Sequence, residues 1–229
     1  MSERENILGR IREALKVTAP VPGSEHDQPL KVSSNGSPAA SARQWLPAVG
    51  ASFEQRLEMF QKHASALKAD FQLVERREQL AAALLVLRDS NGWKKIGTHH
   101  GELTDFAAET LGLALCRTDA AYEVGDLESC DAGITECDAL VAQTGSVLVT
   151  SHSAGGRALS VLPPHHVVLA RREQLLADLP EAFALLKRKY SSDYPSFISF
   201  ITGPSRTGDI ERILVLGAHG PKKLTVLCL

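Results

Sequence analysis

From Phe71 to Leu229, short apolar runs alternate with amphipathic helical stretches, and this alternation limits the chain to a layered α/β fold. Strand-like runs are expected at 71–74, 94–98, 113–117, 139–143, 147–151, 166–170, 197–202 and 224–229. Helical periodicity covers 77–88, 103–111 and 172–190, and an earlier helix is expected over 51–69, with Phe53, Leu57, Phe60, Ala64 and Leu67 on one side. The runs at 139–143 and 147–151 are split only by Thr144-Gly145-Ser146, so they predict an antiparallel hairpin within a mostly parallel central sheet. One α/β domain over 45–229 accommodates all of these elements.

The preceding residues have a different character. Ser2 and Glu5 fit a capping box, and Ile7, Leu8, Ile11, Ala14 and Leu15 share a face, which predicts an amphipathic helix over 1–16. Residues 17–44 hold four Pro, two Gly and five Ser, the composition of an exposed linker. The helix is expected to pack on its own domain, or on a neighbouring subunit of a homo-oligomer.

A formal net charge of -2 argues against nucleic-acid binding, which calls for a basic surface. The longest apolar run, Leu80 to Leu87, is eight residues, too short for a membrane span. The first residues lack the apolar core of a signal peptide, and a cytoplasmic protein is the simplest expectation. Cys116, Cys130, Cys137 and Cys228 are scattered with no C-x-x-C, so buried reduced thiols are expected in place of an iron–sulfur or zinc site. The pairs His99-His100 and His165-His166 make poor bidentate metal sites, because neighbours on a strand point to opposite faces. No metal and no cofactor is expected. Neither a G-x-G-x-x-G nor a P-loop occurs.

The chemistry is concentrated near the C-terminus, in FITGPSRTGDIERILVLGAHGP from Phe200 to Pro221. An apolar strand breaks at Gly203-Pro204, and Ser205, Arg206 and Thr207 follow, with Asp209 in the first turn of an expected helix. Hydroxyls and free backbone N–H groups around one guanidinium suit a carboxylate or phosphate. The competing reading makes Thr207 an N-cap and Arg206 a surface charge. Three polar loops are expected to leave strand carboxyl ends and line one cleft: Thr144-Gly145-Ser146, the Ser153 to Arg157 loop, and Gly203 to Thr207. Gly145, Gly155 and Gly156 would admit a ligand close to the backbone, or simply serve turn geometry, and Arg157 would add positive charge. His219 is the strongest candidate for proton transfer, with Asp209 a weaker one. Ser205 lies outside any G-x-S-x-G elbow, so serine-hydrolase chemistry has little support.

Taken with GITECDALVAQTGSVLVTS from Gly133 to Ser151 and with Leu162-Pro163-Pro164, the TGPSRTGDIE and GAHGP segments resemble the LUD-domain family of lactate utilization proteins, whose stand-alone members are called LutC or YkgG-like. The resemblance runs from about Asp131 to the C-terminus. Gln143 departs from it, standing where that family usually has Glu before Thr-Gly. The resemblance implies a three-layer Rossmann-like sandwich of the NagB/RpiA/CoA-transferase type. It also implies a role in bacterial oxidation of L-lactate to pyruvate alongside iron–sulfur partner proteins. A chain without a visible redox group would then be an accessory subunit, or bind a small organic acid or other anion. The alternative is an independent small-acid, phosphosugar or CoA-handling enzyme. Gln143 cannot supply the carboxylate that covalent CoA chemistry uses, and Glu136 remains a weak candidate for it.

Overall fold

The structure, a computed structural model, describes residues 48–210, 213–217 and 219–229. The helix and linker expected over 1–44 lie outside the described residues, as do the side chains of Thr207 and Asp209. Helix α1 (Phe53–Ala66) begins where Ser52 and Gln55 close a capping box, each side chain accepting the other's backbone N–H. It leads into β1 (Asp70–Leu73), α2 (Arg77–Asn91), β2 (Lys95–Thr98), α3 (Glu102–Leu111) and β3 (Ala114–Arg117). A short α4 (Val124–Glu128) precedes β4 (Ala132–Glu136), β5 (Ala139–Val141), β6 (Ser146–Thr150) and β7 (His165–Ala170). The rest of the chain forms β8 (Leu175–Leu176), α5 (Leu179–Lys189), β9 (Ile198–Ile201), β10 (Arg206–Ile210), β11 (Ile213–Leu216) and β12 (Lys223–Cys228).

Six strands form a wholly parallel sheet in the order β1-β12-β7-β4-β2-β3. Strand periodicity sorts its side chains onto two faces. Ile96, Ala132, Ile134, Val167, Leu169 and Leu227 pack against Leu80 and Leu84 of α2 and Leu103, Ala107 and Leu111 of α3. On the opposite face Val168, Ala170, Leu224, Val226 and Cys228 meet Phe60 and Ala64 of α1, together with Leu140, Val147 and Val149 of a second sheet. That second sheet has the order β8-β5-β6-β9, and α5 covers its far side through Ala182, Leu186 and Tyr190. The expected α/β architecture with a mostly parallel central sheet is therefore present.

Four local expectations need correction. The β5–β6 pair is antiparallel as predicted, but it belongs to the second sheet instead of the central one. The single helix expected over 172–190 is interrupted. A 3-10 turn at Arg172–Gln174 and strand β8 come first, and Asp178 then caps a new helix with Pro180 in its opening turn. Strand β4 was not apparent in the sequence, because Gly133 breaks the apolar run. The helix expected to open at Thr207 is instead a hairpin, β10 pairing antiparallel with β11 around a bulge between Thr207 and Ile210. Gly208 disfavours a helical first turn, and the β-branched residues Thr207, Ile210, Ile213 and Val215 favour extended backbone. Asp209 thus has no helix dipole to oppose.

Candidate functional site

The three loops expected to share a cleft lie at opposite edges of the parallel sheet. β5 and β9 run against the parallel strands, so the loops leaving their carboxyl ends fall at the amino edge. There Gly145 (φ 66°) and Gly203 (φ 87°) press on the end of α1. A Cβ on Gly145 would stand 2.8 Å from the Ala64 nitrogen, and one on Gly203 would stand 2.8 Å from the Leu67 oxygen. Both sites require glycine for conformation and for space. The same turns bring hydroxyls together, with Ser146 Oγ 2.8 Å from Thr144 Oγ1 and 2.8 Å from Thr202 Oγ1. Arg206 is exposed beside them, its Nη2 3.3 Å from where a Gly203 Cβ would be.

The GPSR and GAHGP turns are joined through their backbones. Ser205 N–H donates to Pro221 O, Gly217 N–H donates to Ser205 O, and Lys222 N–H donates to Pro164 O where β7 begins. Ser205 and His219 therefore belong to this amino edge, and His219 is exposed. The structure gathers Thr144, Gly145, Ser146, Gly203, Ser205, Arg206 and His219 along it.

Arg157 does not join them. Its loop leaves β6 at the carboxyl edge, where a Cβ on Gly155 (φ 60°) would stand 2.4 Å from His99 Cβ and 2.7 Å from Thr118 Oγ1, just beyond β2 and β3. The Arg157 guanidinium donates to Ser196 O at 2.8 Å. Glycine at 155 is required both by this close approach and by its left-handed backbone.

The carboxyl edge holds two polar networks whose members are too far apart in sequence for any spacing rule to find. Glu136 ends β4 and accepts the Leu103 N–H at the start of α3 (2.8 Å) and Arg171 Nη1 (3.2 Å), while its own N–H donates to His99 Nε2 at 3.3 Å. Its carboxylate therefore occupies the positive end of α3. Asp138, its side chain fully buried, accepts Lys189 Nζ at 2.5 Å and Tyr190 OH at 2.7 Å on one oxygen. Burial pushes the Asp138 pKa up, but hydrogen bonds from Lys189, Ser153 and Tyr190 outweigh it and hold the carboxyl below the usual range. Asp138→Ala removes the acceptor of a half-exposed ammonium and leaves a buried phenol with only the longer contact to Thr150 Oγ1, at 3.2 Å. It is expected to lower unfolding free energy by about 2 kcal/mol or more. The urea midpoint at neutral pH measures this, and an unchanged midpoint would show that the network contributes nothing.

Gln143 is buried, donates its N–H to Ala177 O, and lines a cavity of about 370 Å³ with Arg56, Asp178 and Glu181. All four cysteines are buried with free thiols, and burial raises the Cys130 pKa to about 12. Among the described residues no three His, Cys, Asp or Glu side chains are grouped to hold a metal, and no helix is long and apolar enough to cross a membrane. His165 and His166 point to opposite faces, hydrogen-bonding Thr225 Oγ1 and Thr135 Oγ1 at 2.9 Å each.

Residues 125–229 match the family described as LUD domain. Lactate utilization protein C of Shouchella clausii is 30% identical over 180 residues, covering 76% of this chain and 78% of the relative. Its namesake from Geobacillus kaustophilus is 26% identical over 194 residues, 79% of this chain and 80% of the relative. Other curated relatives align over less, as with the Geobacillus sp. protein, of which 42% is covered. A solved DUF162 family protein from Deinococcus radiodurans superposes with a TM-score of 0.62, covering 78% of this chain and 99% of its own at 19% identity, a likeness of fold. By sequence across most of its length, the chain belongs to the LUD-domain family of lactate utilization proteins.

Proposed function

We propose that the chain is a LutC-like component of a system that oxidises L-lactate to pyruvate, a non-redox accessory subunit that binds a small carboxylate and works beside iron–sulfur partner proteins. The observation that carries this reading is the match to Lactate utilization protein C of Shouchella clausii, which covers 78% of that protein. The amino edge supports the ligand-binding part, since an exposed guanidinium lies beside a chain of three hydroxyls in which Ser146 bonds both Thr144 and Thr202. A carboxylate offers Arg206 two acceptors, and the hydroxyls of Thr144 and Ser146 can turn to donate to a third acceptor. In this reading His219, with Asp209 the weaker candidate, handles any proton exchanged with the ligand, and Gly203, Ser205 and Thr207 frame the turn.

Growth on L-lactate tests the role. A deletion strain is expected to lose that growth and to regain it with the intact chain but not with Arg206→Ala. Calorimetry with L-lactate and pyruvate should show at least a roughly tenfold weaker affinity in the variant, the loss of a charge-assisted contact. Undiminished growth of the deletion strain would end the lactate assignment. Unchanged affinity in the variant would remove Arg206 from the site.

A further inference from the structure

A cavity of about 210 Å³ opens between the end of α2 and the starts of β7 and β12, lined by Asn91, Trp93, Asp131, His165, Lys222 and Lys223. It lies on the α2 face of the amino edge, whereas Arg206 and the hydroxyl cluster lie beside α1. We propose that this cavity is a second anion site, and that it takes a small monocarboxylate with its charged end at the lysines and its apolar end on Trp93.

The rim is positive and fixed in place. Lys222 and Lys223 both donate their backbone N–H groups to Pro164 O, which holds them to the residue just before β7. The Lys222 stem lies across Gly217, where a Cβ would come within 2.1 Å of its Cγ, and Lys223 Nζ donates to Asn91 Oδ1 at 2.7 Å. Asp131 keeps its negative charge but is held in place by the N–H groups of Lys94 and Lys95, which its Oδ2 accepts at 2.7 and 3.0 Å, and the two lysines outnumber it in the lining. Among the described residues neither lysine is ion-paired.

The floor is uncharged. Trp93 is buried and meets the His165 ring edge-on, centroids 5.3 Å apart. Burial, helped by Lys223, keeps His165 neutral at physiological pH. His165 Nε2 is committed to Thr225 Oγ1, and its Nδ1 is buried without a hydrogen-bond partner. A cationic rim over an indole and a neutral imidazole matches one carboxylate on a short apolar body. A phosphate would bring several polar oxygens to the aromatic floor, where the buried His165 Nδ1 could meet at most one of them.

Trp93 is one of two tryptophans in the chain and reports the site directly. Fluorescence titration with L-lactate and butyrate at constant ionic strength is expected to give a saturable change. That change should disappear in Trp93→Phe and weaken roughly tenfold or more in the Lys222→Ala/Lys223→Ala double variant, whose circular dichroism stays native. Inorganic phosphate should compete poorly. No saturable change, undiminished affinity in the double variant, or equal binding of phosphate would each overturn the proposal. The site is independent of Arg206, so Arg206→Ala should leave the Trp93 response intact, and failure here leaves the lactate growth test unaffected.

Discussion

Acidification from pH 7 to about 4.5 should unfold the protein, with the loss of stability setting in near pH 6.5, above the range in which ordinary carboxylates titrate. Two adjacent buried histidines set this limit. Burial depresses the pKa of His166 from the ordinary 6.5 to about 3, and that of His165 to about 4, with the neighbouring charges adding to the effect. The folded state therefore refuses protons that the unfolded chain accepts. Stability from this source is complete above pH 6.5 and is lost progressively as pH falls towards 4 and then 3. Each pH unit below 6.5 costs about 1.4 kcal/mol per histidine, so the two together remove on the order of 5 kcal/mol by about pH 4.5. That is comparable to the whole stability of a typical domain. Ionised Asp138 adds a second loss lower on the scale, since its depressed pKa makes its contribution fade as pH falls below the usual carboxylate value. Urea midpoints between pH 7.5 and 4.5 should slope steeply, and His166→Leu, although less stable at pH 7, should slope about half as much. A flat profile over this range would show that the buried imidazoles do not control acid stability.

Gly133→Ala is expected to destabilise the fold by about 3 kcal/mol or more, enough to make expression poor. Gly133 sits on β4 in the middle of the parallel sheet, between Gly97 of β2 and His166 of β7. Its backbone is ordinary for a strand, so the constraint comes from space alone. A Cβ would stand 2.4 Å from the Leu159 carbonyl oxygen and 3.1 Å from Pro163 Cγ. A carbonyl cannot rotate away as a side chain can, so the segment that covers β4 would have to lift. Gly97→Ala provides the control. Its Cβ would crowd the methyl groups of Leu127 and Leu159, at 2.7 and 2.9 Å, which can shift rotamer, and would meet Cys130 Sγ at an ordinary 3.7 Å. Thermal unfolding should rank wild type above Gly97→Ala, and Gly97→Ala well above Gly133→Ala. The reverse order would mean that the 159–163 segment moves freely on the sheet.

The sequence made the layering legible because burial imposes a period. Two-residue alternation in β7 and β12, and the helical stripe of Phe60 and Ala64 in α1, follow from which side of each element faces apolar neighbours. It also located the polar turns, since Gly145 and Gly203 mark backbone that only glycine adopts without strain. It misassigned the segment after Arg206, where strand propensity and helix-start signals compete within a few residues and the pairing of β10 with β11 decides between them. Strand β4 was hidden for a related reason, because a glycine that weakens a strand locally is tolerated where neighbours on both sides hold it.

What local pattern could not carry was direction. Whether a loop reaches the amino or the carboxyl edge depends on which way its strand runs in the assembled sheets, and that is fixed by partners far along the chain. Hence Arg157 and Arg206 stand at opposite edges although their loops have similar chemistry. Asp138 finds Lys189 and Tyr190 across 51 and 52 residues. The sequence alone determined the α/β class, the family and the identity of the polar turns, through periodicity, glycine conformation and motif. Only the tertiary structure decided which of those turns meet, because long-range strand pairing sets their positions and no short stretch of sequence contains it.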